Sequence, residues 1–200
     1  MVEIVLASRN KKKIAEFQVL LENAFDFEVK VLSLDDIGFT GDIIENGETF
    51  EENAFTKASV PASMGYIGIA DDSGLCVDAL DGAPGVYSAR FSGGDDEDNN
   101  ALLLKLLADK ENRNASYVCA IACVFPNDSK KFVIRGECHG KIIDDRRGTA
   151  GFGYDPYFYY EPFGKTFAEI ELAKKNEVSH RGEAVRKFIK EFSRVISNDK

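Results

Sequence analysis

An α/β fold is predicted by three features of the chain. A short apolar run, Glu3 to Ala7, breaks at Ser8-Arg9-Asn10 and passes into a segment whose apolar residues recur at helical spacing. Two long β-prone runs, Ala115 to Phe125 and Lys131 to Ile143, flank the turn formers Pro126-Asn127-Asp128-Ser129, which reads as a hairpin. The C-terminal stretch carries Val185, Phe188, Ile189, Phe192 and Ile196 on one helical face. Two hundred residues, 44% of them hydrophobic, suffice for one domain, or one domain with two lobes, around a real core.

Each element has its own warrant. Glu3 to Ala7 is a buried strand, and the helix after it aligns Ile14, Phe17, Leu20, Leu21, Ala24 and Phe25. Its first turn holds Lys11, Lys12 and Lys13, although a helix N-terminus favours negative charge. A bound anion resolves that conflict, since free backbone N–H groups and ammonium groups then address the same phosphates. The alternative is a solvated lysine face. Glu28 to Leu34 follows as a second strand, and Asp35 to Asn46 as a loop.

A helix then runs to about Met64, with Thr49 as N-cap and Glu52 completing a capping box. Phe50, Ala54, Phe55 and Ala58 face the core, and Lys57 lies on the same helix. Glu51 and Glu52 read as capping residues, while Glu45 or Glu48 is free to supply a metal carboxylate. The apolar run Tyr66 to Ala70 arrives directly at Asp71, Asp72, Ser73 and Gly74. Acids at the end of a core strand need partners. A Mg²⁺ ion, held by one or two carboxylates plus substrate phosphates, is one such partner; a plain turn is the other reading.

Asp95 to Asn100 opens an acidic helix that continues through Leu102 to Leu107, ahead of the hairpin. The stretch Gly148 to Pro156 then crowds glycines, Phe152, Tyr154 and Asp155 into nine residues. Neither nucleotide fingerprint is met: Pro156 stands where the dinucleotide motif needs glycine, and Tyr159 where a P-loop ending at Gly164-Lys165-Thr166 needs one. Beyond Lys174-Lys175, Ser179 suits an N-cap, so His180 and Arg181 put cations at a second helix N-terminus.

Composition narrows the function classes. A net charge of −9 argues against broad binding to nucleic acid or membrane surfaces. No run reaches the roughly eighteen apolar residues of a membrane-spanning helix, and the first residues carry no signal-peptide pattern. Four cysteines without a CxxC pair argue against zinc and point to a reduced, cytoplasmic setting. Cys119 and Cys123 share one strand face, and Cys138-His139 is either a reactive thiol or, more commonly, an inert buried one.

Two positive helix ends, an acidic pair and an aromatic glycine loop describe a nucleotide site, with Phe152 or Tyr154 stacking on a base. The segments SRNKKK, ENGETFEENAFTKA, ADDSGLCVDALDGAPGVYSARFSG, GFGYDP and SHRG, in this order, closely resemble the noncanonical purine NTP pyrophosphatases, the inosine triphosphate pyrophosphatase family. The likeness runs from Val2 to about Phe192, with Ala150 departing from the glycine usual before GFGYD.

The resemblance implies a single domain over residues 1–200: a long bent mixed sheet flanked by helices, with two lobes and a central cleft. It implies Mg²⁺-dependent hydrolysis of ITP, dITP or XTP to the monophosphate and pyrophosphate by a homodimer, a house-cleaning role. Carried onto this chain, Ser8, Arg9, Asn10, Lys11, Lys12 and Lys13 hold the triphosphate. Glu45 and Asp72 bind metal, and Asp72 also accepts the proton of the attacking water. Ser73, Lys57 and Lys175 serve the phosphates or their surroundings; Phe152, Gly153, Tyr154, Asp155, His180 and Arg181 form the base and sugar pocket. A nucleotide-binding regulatory module and a pyrophosphatase for modified pyrimidines are the competing readings.

Overall fold

The computed structural model describes residues 1–9, 14, 17–18, 21, 24–25, 27–128 and 130–197. Its sheet has seven strands: β1 (Val2–Leu6), β2 (Val29–Leu32), β3 (Ile67–Val77), β4 (Asn114–Val124), β5 (Lys131–Ile142), β6 (Phe158–Tyr160) and β7 (Lys165–Thr166). They lie in the order β2-β1-β3-β4-β5-β6-β7. β1 pairs in parallel with both β2 and β3, whereas β5, β6 and β7 pair antiparallel, so the sheet is mixed. The helices are α1 (Phe50–Ser63), α2 (Asp96–Leu107), α3 (Leu172–Val178) and α4 (His180–Ser197). None is long and apolar enough to cross a membrane among the described residues.

The chain forms two compact units. The first comprises Met1–Asp72, Ala120–Arg135 and Val185–Lys200; the second comprises Ser73–Cys119 and Gly136–Ala184. In the first, Ile4, Val5, Leu6, Phe17 and Leu21 are buried together with Phe188 and Phe192 of α4. In the second, Leu75, Leu103, Leu107, Tyr117, Phe158 and Phe167 belong to one buried cluster. Tyr117 lies 4.6 Å from Phe158 and 5.7 Å from Phe167, ring to ring, distances at which aromatic pairs attract.

Four expectations need correction. β3 does not stop at Ala70 but continues through Asp71-Asp72-Ser73-Gly74 to Val77, because ladder pairing outweighs the turn preference of those residues. Within the first predicted helix, Ile14, Phe17 and Leu21 are helical, but Ala24 and Phe25 are not; Phe25 instead packs edge-on against Phe192 at 5.4 Å. Phe55 and Ile189 are only half-buried. Finally, α3 covers Lys174 and Lys175, where no helix was expected. The hairpin holds, with β4 and β5 adjacent in the sheet and Phe125 N–H donating to the Lys130 carbonyl at 2.9 Å.

Candidate active site

The acidic end of the site is built by α1 against β3. Thr49 caps α1 by accepting the Glu52 N–H at 3.1 Å, while the Glu52 carboxylate accepts the N–H of Glu48 at 2.7 Å, one residue earlier than a regular capping box. Asn53 and Lys57, four apart, share one helix face. That face comes close to the strand because residue 68 is glycine: a Cβ there would lie 2.0 Å from the Ala58 carbonyl oxygen.

Lys57 Nζ consequently lies 2.8 Å from Glu45 Oε2 and 2.8 Å from Asp72 Oδ1. Asn53 Nδ2 donates to the other Asp72 oxygen at 3.3 Å, and Asn53 Oδ1 accepts the Gly47 N–H at 2.8 Å. The side chains of Lys57 and Asp72 are only 12% and 14% exposed. Burial pushes the Asp72 carboxyl above the usual range, aided by the Glu45 charge and opposed by Lys57 and Asn53. Burial works against the Lys57 charge, but Asp72 and Glu45 outweigh it and hold the ammonium above its ordinary value.

Asp71 does not join this group as half of an acidic pair. Successive strand residues point to opposite faces, so Asp72 meets α1 while Asp71 is buried on the other side. Glu48 offers its N–H to Glu52, and Glu51 pairs with Arg135 at 2.7 Å. Two carboxylates, Glu45 and Asp72, therefore converge on one cation position. Among the described residues no group of three His, Cys, Asp or Glu side chains gathers for a metal.

At the first strand–helix junction, Arg9 is committed to the loop that follows β2. It donates to Asp35 at 3.1 Å, to the Phe39 carbonyl at 3.1 Å and to the Gly41 carbonyl at 2.7 Å. Ser8 follows the bend at Ala7 that ends β1, with its carbonyl accepting from Leu34 N–H at 3.5 Å. Asn10, Lys11, Lys12 and Lys13 lie outside the described residues. Ser73 follows Asp72 on β3, half-buried.

The second unit carries the aromatic loop. Phe152 is 68% exposed, whereas Tyr154 is buried and donates its hydroxyl to the Ser88 carbonyl at 2.7 Å. Of the two aromatics expected to stack on a base, Phe152 alone presents its ring; Tyr154 is an anchor, because a buried phenol must spend its hydroxyl on a partner. Asp155 is buried, accepts the Phe152 N–H at 3.1 Å and pairs with Lys175 at 2.5 Å. A side chain at 151 would meet that carboxylate at 2.1 Å, and Gly151 also has φ +79°, so the loop needs glycine twice over. Lys175 lies 5.6 Å from the Phe152 ring and 5.0 Å from that of Phe167, within cation–π range. It thus belongs with the loop.

α4 opens as its sequence suggests, with Ser179 Oγ accepting the Gly182 N–H at 3.1 Å and placing His180 and Arg181 in the first turn. His180 stacks on Tyr117 at 4.8 Å, the planes 13° apart. Tyr117 is buried, and burial, then the neighbouring Asp155 carboxylate, holds its phenol protonated well above the ordinary range. Cys138 is a buried thiol pushed up to about 12, foremost by burial, which removes the reactive-thiol reading of Cys138-His139.

Sequence reasoning missed Asn53 and Tyr117. Asn53 was within reach, as a polar residue one helical turn before Lys57. Tyr117 gave no signal, because a tyrosine on a β-prone run reads as core.

The Ham1 family matches residues 4–191. A Desulfotalea psychrophila protein named dITP/XTP pyrophosphatase is 46% identical over 196 residues, covering 96% of this chain and 86% of its own length. One of the same name from Bacillus anthracis is 48% identical over 195 residues, covering 94% of this chain and 95% of its own. Among solved structures, a HAM1 protein from Coxiella burnetii aligns with a TM-score of 0.90 at 40% identity, over 97% of this chain and all of that one.

Proposed function

The chain belongs to the Ham1 family, and we propose from that premise that it hydrolyses noncanonical purine nucleoside triphosphates, ITP, dITP and XTP, to the monophosphate and pyrophosphate. It is a nucleoside triphosphate pyrophosphatase, a hydrolase of phosphoanhydride bonds that removes these nucleotides from the pool.

The observation that carries the residue assignment is the convergence of Glu45 and Asp72 on one cation position, each 2.8 Å from Lys57 Nζ. Two carboxylates around a single ammonium leave an excess of negative charge that fits a hard divalent cation, which takes one or two protein carboxylates and completes its shell with water and phosphate. Glu45 and Asp72 would hold Mg²⁺, which when bound supplies charge neutralisation to the phosphates. Asp72 is the proton acceptor for the attacking water. Its raised pKa makes it a stronger base than an exposed aspartate, as a general base should be. Asn53 fixes the orientation of that carboxylate, and Lys57 limits the rise in its pKa.

Ser8, Asn10, Lys11, Lys12 and Lys13 hold the triphosphate, with Ser73 and Lys57 beside it, while Arg9 ties down the loop after β2. Phe152 stacks on the base. Gly153, Tyr154, Asp155 and Lys175 fix that loop, and His180 and Arg181 address base and sugar. Residues 1–200 act as one two-lobed domain, in a cytoplasmic homodimer whose four cysteines remain reduced.

The test is pyrophosphate release from ITP, dITP, XTP, ATP, GTP and modified pyrimidine triphosphates, with and without Mg²⁺. Release confined to the noncanonical purines and lost without the metal supports the reading. Preference for pyrimidines, or binding without turnover, rejects it.

A further inference from the structure

Gly153 is held at both ends of its backbone by one helix. Its N–H donates to Asp96 Oδ2 at 2.9 Å, and its carbonyl accepts from Asn100 Nδ2 at 3.1 Å. Asp96 and Asn100 are four apart, so they face the same way from the start of α2. The residue before Gly153 is Phe152, the exposed ring of the loop. The residue after it is Tyr154, whose hydroxyl is tied to Ser88. From Phe152 to Asp155 the loop is therefore pinned on every residue but the aromatic ring itself.

Asn100 is an expensive way to fill its position. It is 2% exposed, and its amide oxygen has no hydrogen-bond partner among the described residues. A buried acceptor without a partner is destabilising, and an apolar side chain of similar size avoids the penalty. Gly153 itself is only half-buried, so its carbonyl could be served by water. Stability alone would thus favour leucine at position 100. The bond to Gly153 is what asparagine supplies there and leucine cannot.

We infer that Asp96 and Asn100 are positioning residues for the base: they lock Gly153 from both sides so that the Phe152 ring is presented in one orientation to the purine of the substrate. This rests on the reading of Phe152 as the stacking residue. The clamp acts on base affinity, since both of its bonds go to the backbone of the residue beside Phe152.

The experiment compares inhibition of ITP hydrolysis by inosine, which carries the base without phosphates, and by pyrophosphate, at fixed free Mg²⁺. Wild type, Asn100→Leu, Asp96→Ala and Asp96→Asn are measured, each with its thermal midpoint. Asn100→Leu and Asp96→Ala are expected to raise the inosine inhibition constant about fivefold to tenfold, part of the value of a stacked base, with the pyrophosphate constant unmoved. Asp96→Asn keeps an acceptor for Gly153 N–H and should restore inosine affinity. Asn100→Leu should keep or raise the thermal midpoint while weakening inosine, a combination that a merely structural asparagine would not give. An unchanged inosine constant in Asn100→Leu and Asp96→Ala, or equal losses for both inhibitors, overturns the clamp. Failure of the wild type to hydrolyse ITP overturns the functional reading instead, and the inference with it.

Discussion

Lys57 and Lys175 are both half-buried lysines held by carboxylates, one in each compact unit. Among the described residues Lys175 has one ionic partner, Asp155 at 2.5 Å, and two aromatic faces within 6 Å, so charge is balanced there. Lys57 has two partners, Glu45 and Asp72, so its group carries a surplus negative charge. A balanced buried pair organises a loop. In the unbalanced one, burial raises the Asp72 carboxyl, the Glu45 charge adds to the rise, and a further cation would be welcome there. The same residue types thus give a fixed scaffold in one unit and a chemically primed group in the other.

Removing one carboxylate from each group breaks the comparison most directly. Asp155→Asn leaves Lys175 buried without its ionic partner, and breaking such a pair costs about 3–5 kcal/mol. Chemical denaturation should show that loss; unchanged stability would mean that the pair is not what holds the loop. Asp72→Asn does the reverse. It relieves a surplus charge, so the metal-free protein should be no less stable, while turnover falls by about a hundredfold or more with the lost base and metal ligand. An active Asp72→Asn enzyme would remove Asp72 from the chemistry.

Arg181 sharpens the contrast at the base end. Arginine only donates hydrogen bonds, so it suits the 6-keto group of hypoxanthine and leaves donor facing donor with adenine. Arg181→Ala should therefore erode discrimination between ITP and ATP, by about tenfold or more, and much less between ITP and GTP, because guanine keeps the 6-keto group. Specificity constants for the three nucleotides decide it; equal movement of both ratios assigns Arg181 to phosphate or packing.

The smallest expected effect is a pH shift. Asp72 must be ionised to accept a proton, and its folded pKa is raised above the unfolded value. Its contribution to stability is therefore full below the unfolded pKa, where it is protonated, and is lost as pH rises through the folded pKa. Activity runs the other way and appears as pH rises through that same value. Lys57 is the leading influence holding the value down, so Lys57→Met should move the acid limb of the kcat/KM profile to higher pH. A limb that stays in place would mean that another group controls it.

The sequence by itself determined the elements whose signals are local. Thr49 and Ser179 cap helices because a hydroxyl next to free N–H groups works at any place in a fold. The hairpin at 126–129 and the helical face of Val185, Phe188 and Phe192 follow from spacing. The motif set from SRNKKK to SHRG was equally legible and carried the family. Tertiary structure decided which of those residues act together. Asp71 and Asp72 are neighbours in sequence, but strand geometry sends them to opposite faces, and only Asp72 meets Lys57 and Asn53. Phe152 and Tyr154 look alike on paper, yet the Ser88 carbonyl claims the Tyr154 hydroxyl and leaves Phe152 exposed. Tyr117 against His180 and Asn100 against Gly153 join residues 63 and 53 positions apart. Contacts of that range have no period or cap to announce them, because they exist only once the strands and helices have packed.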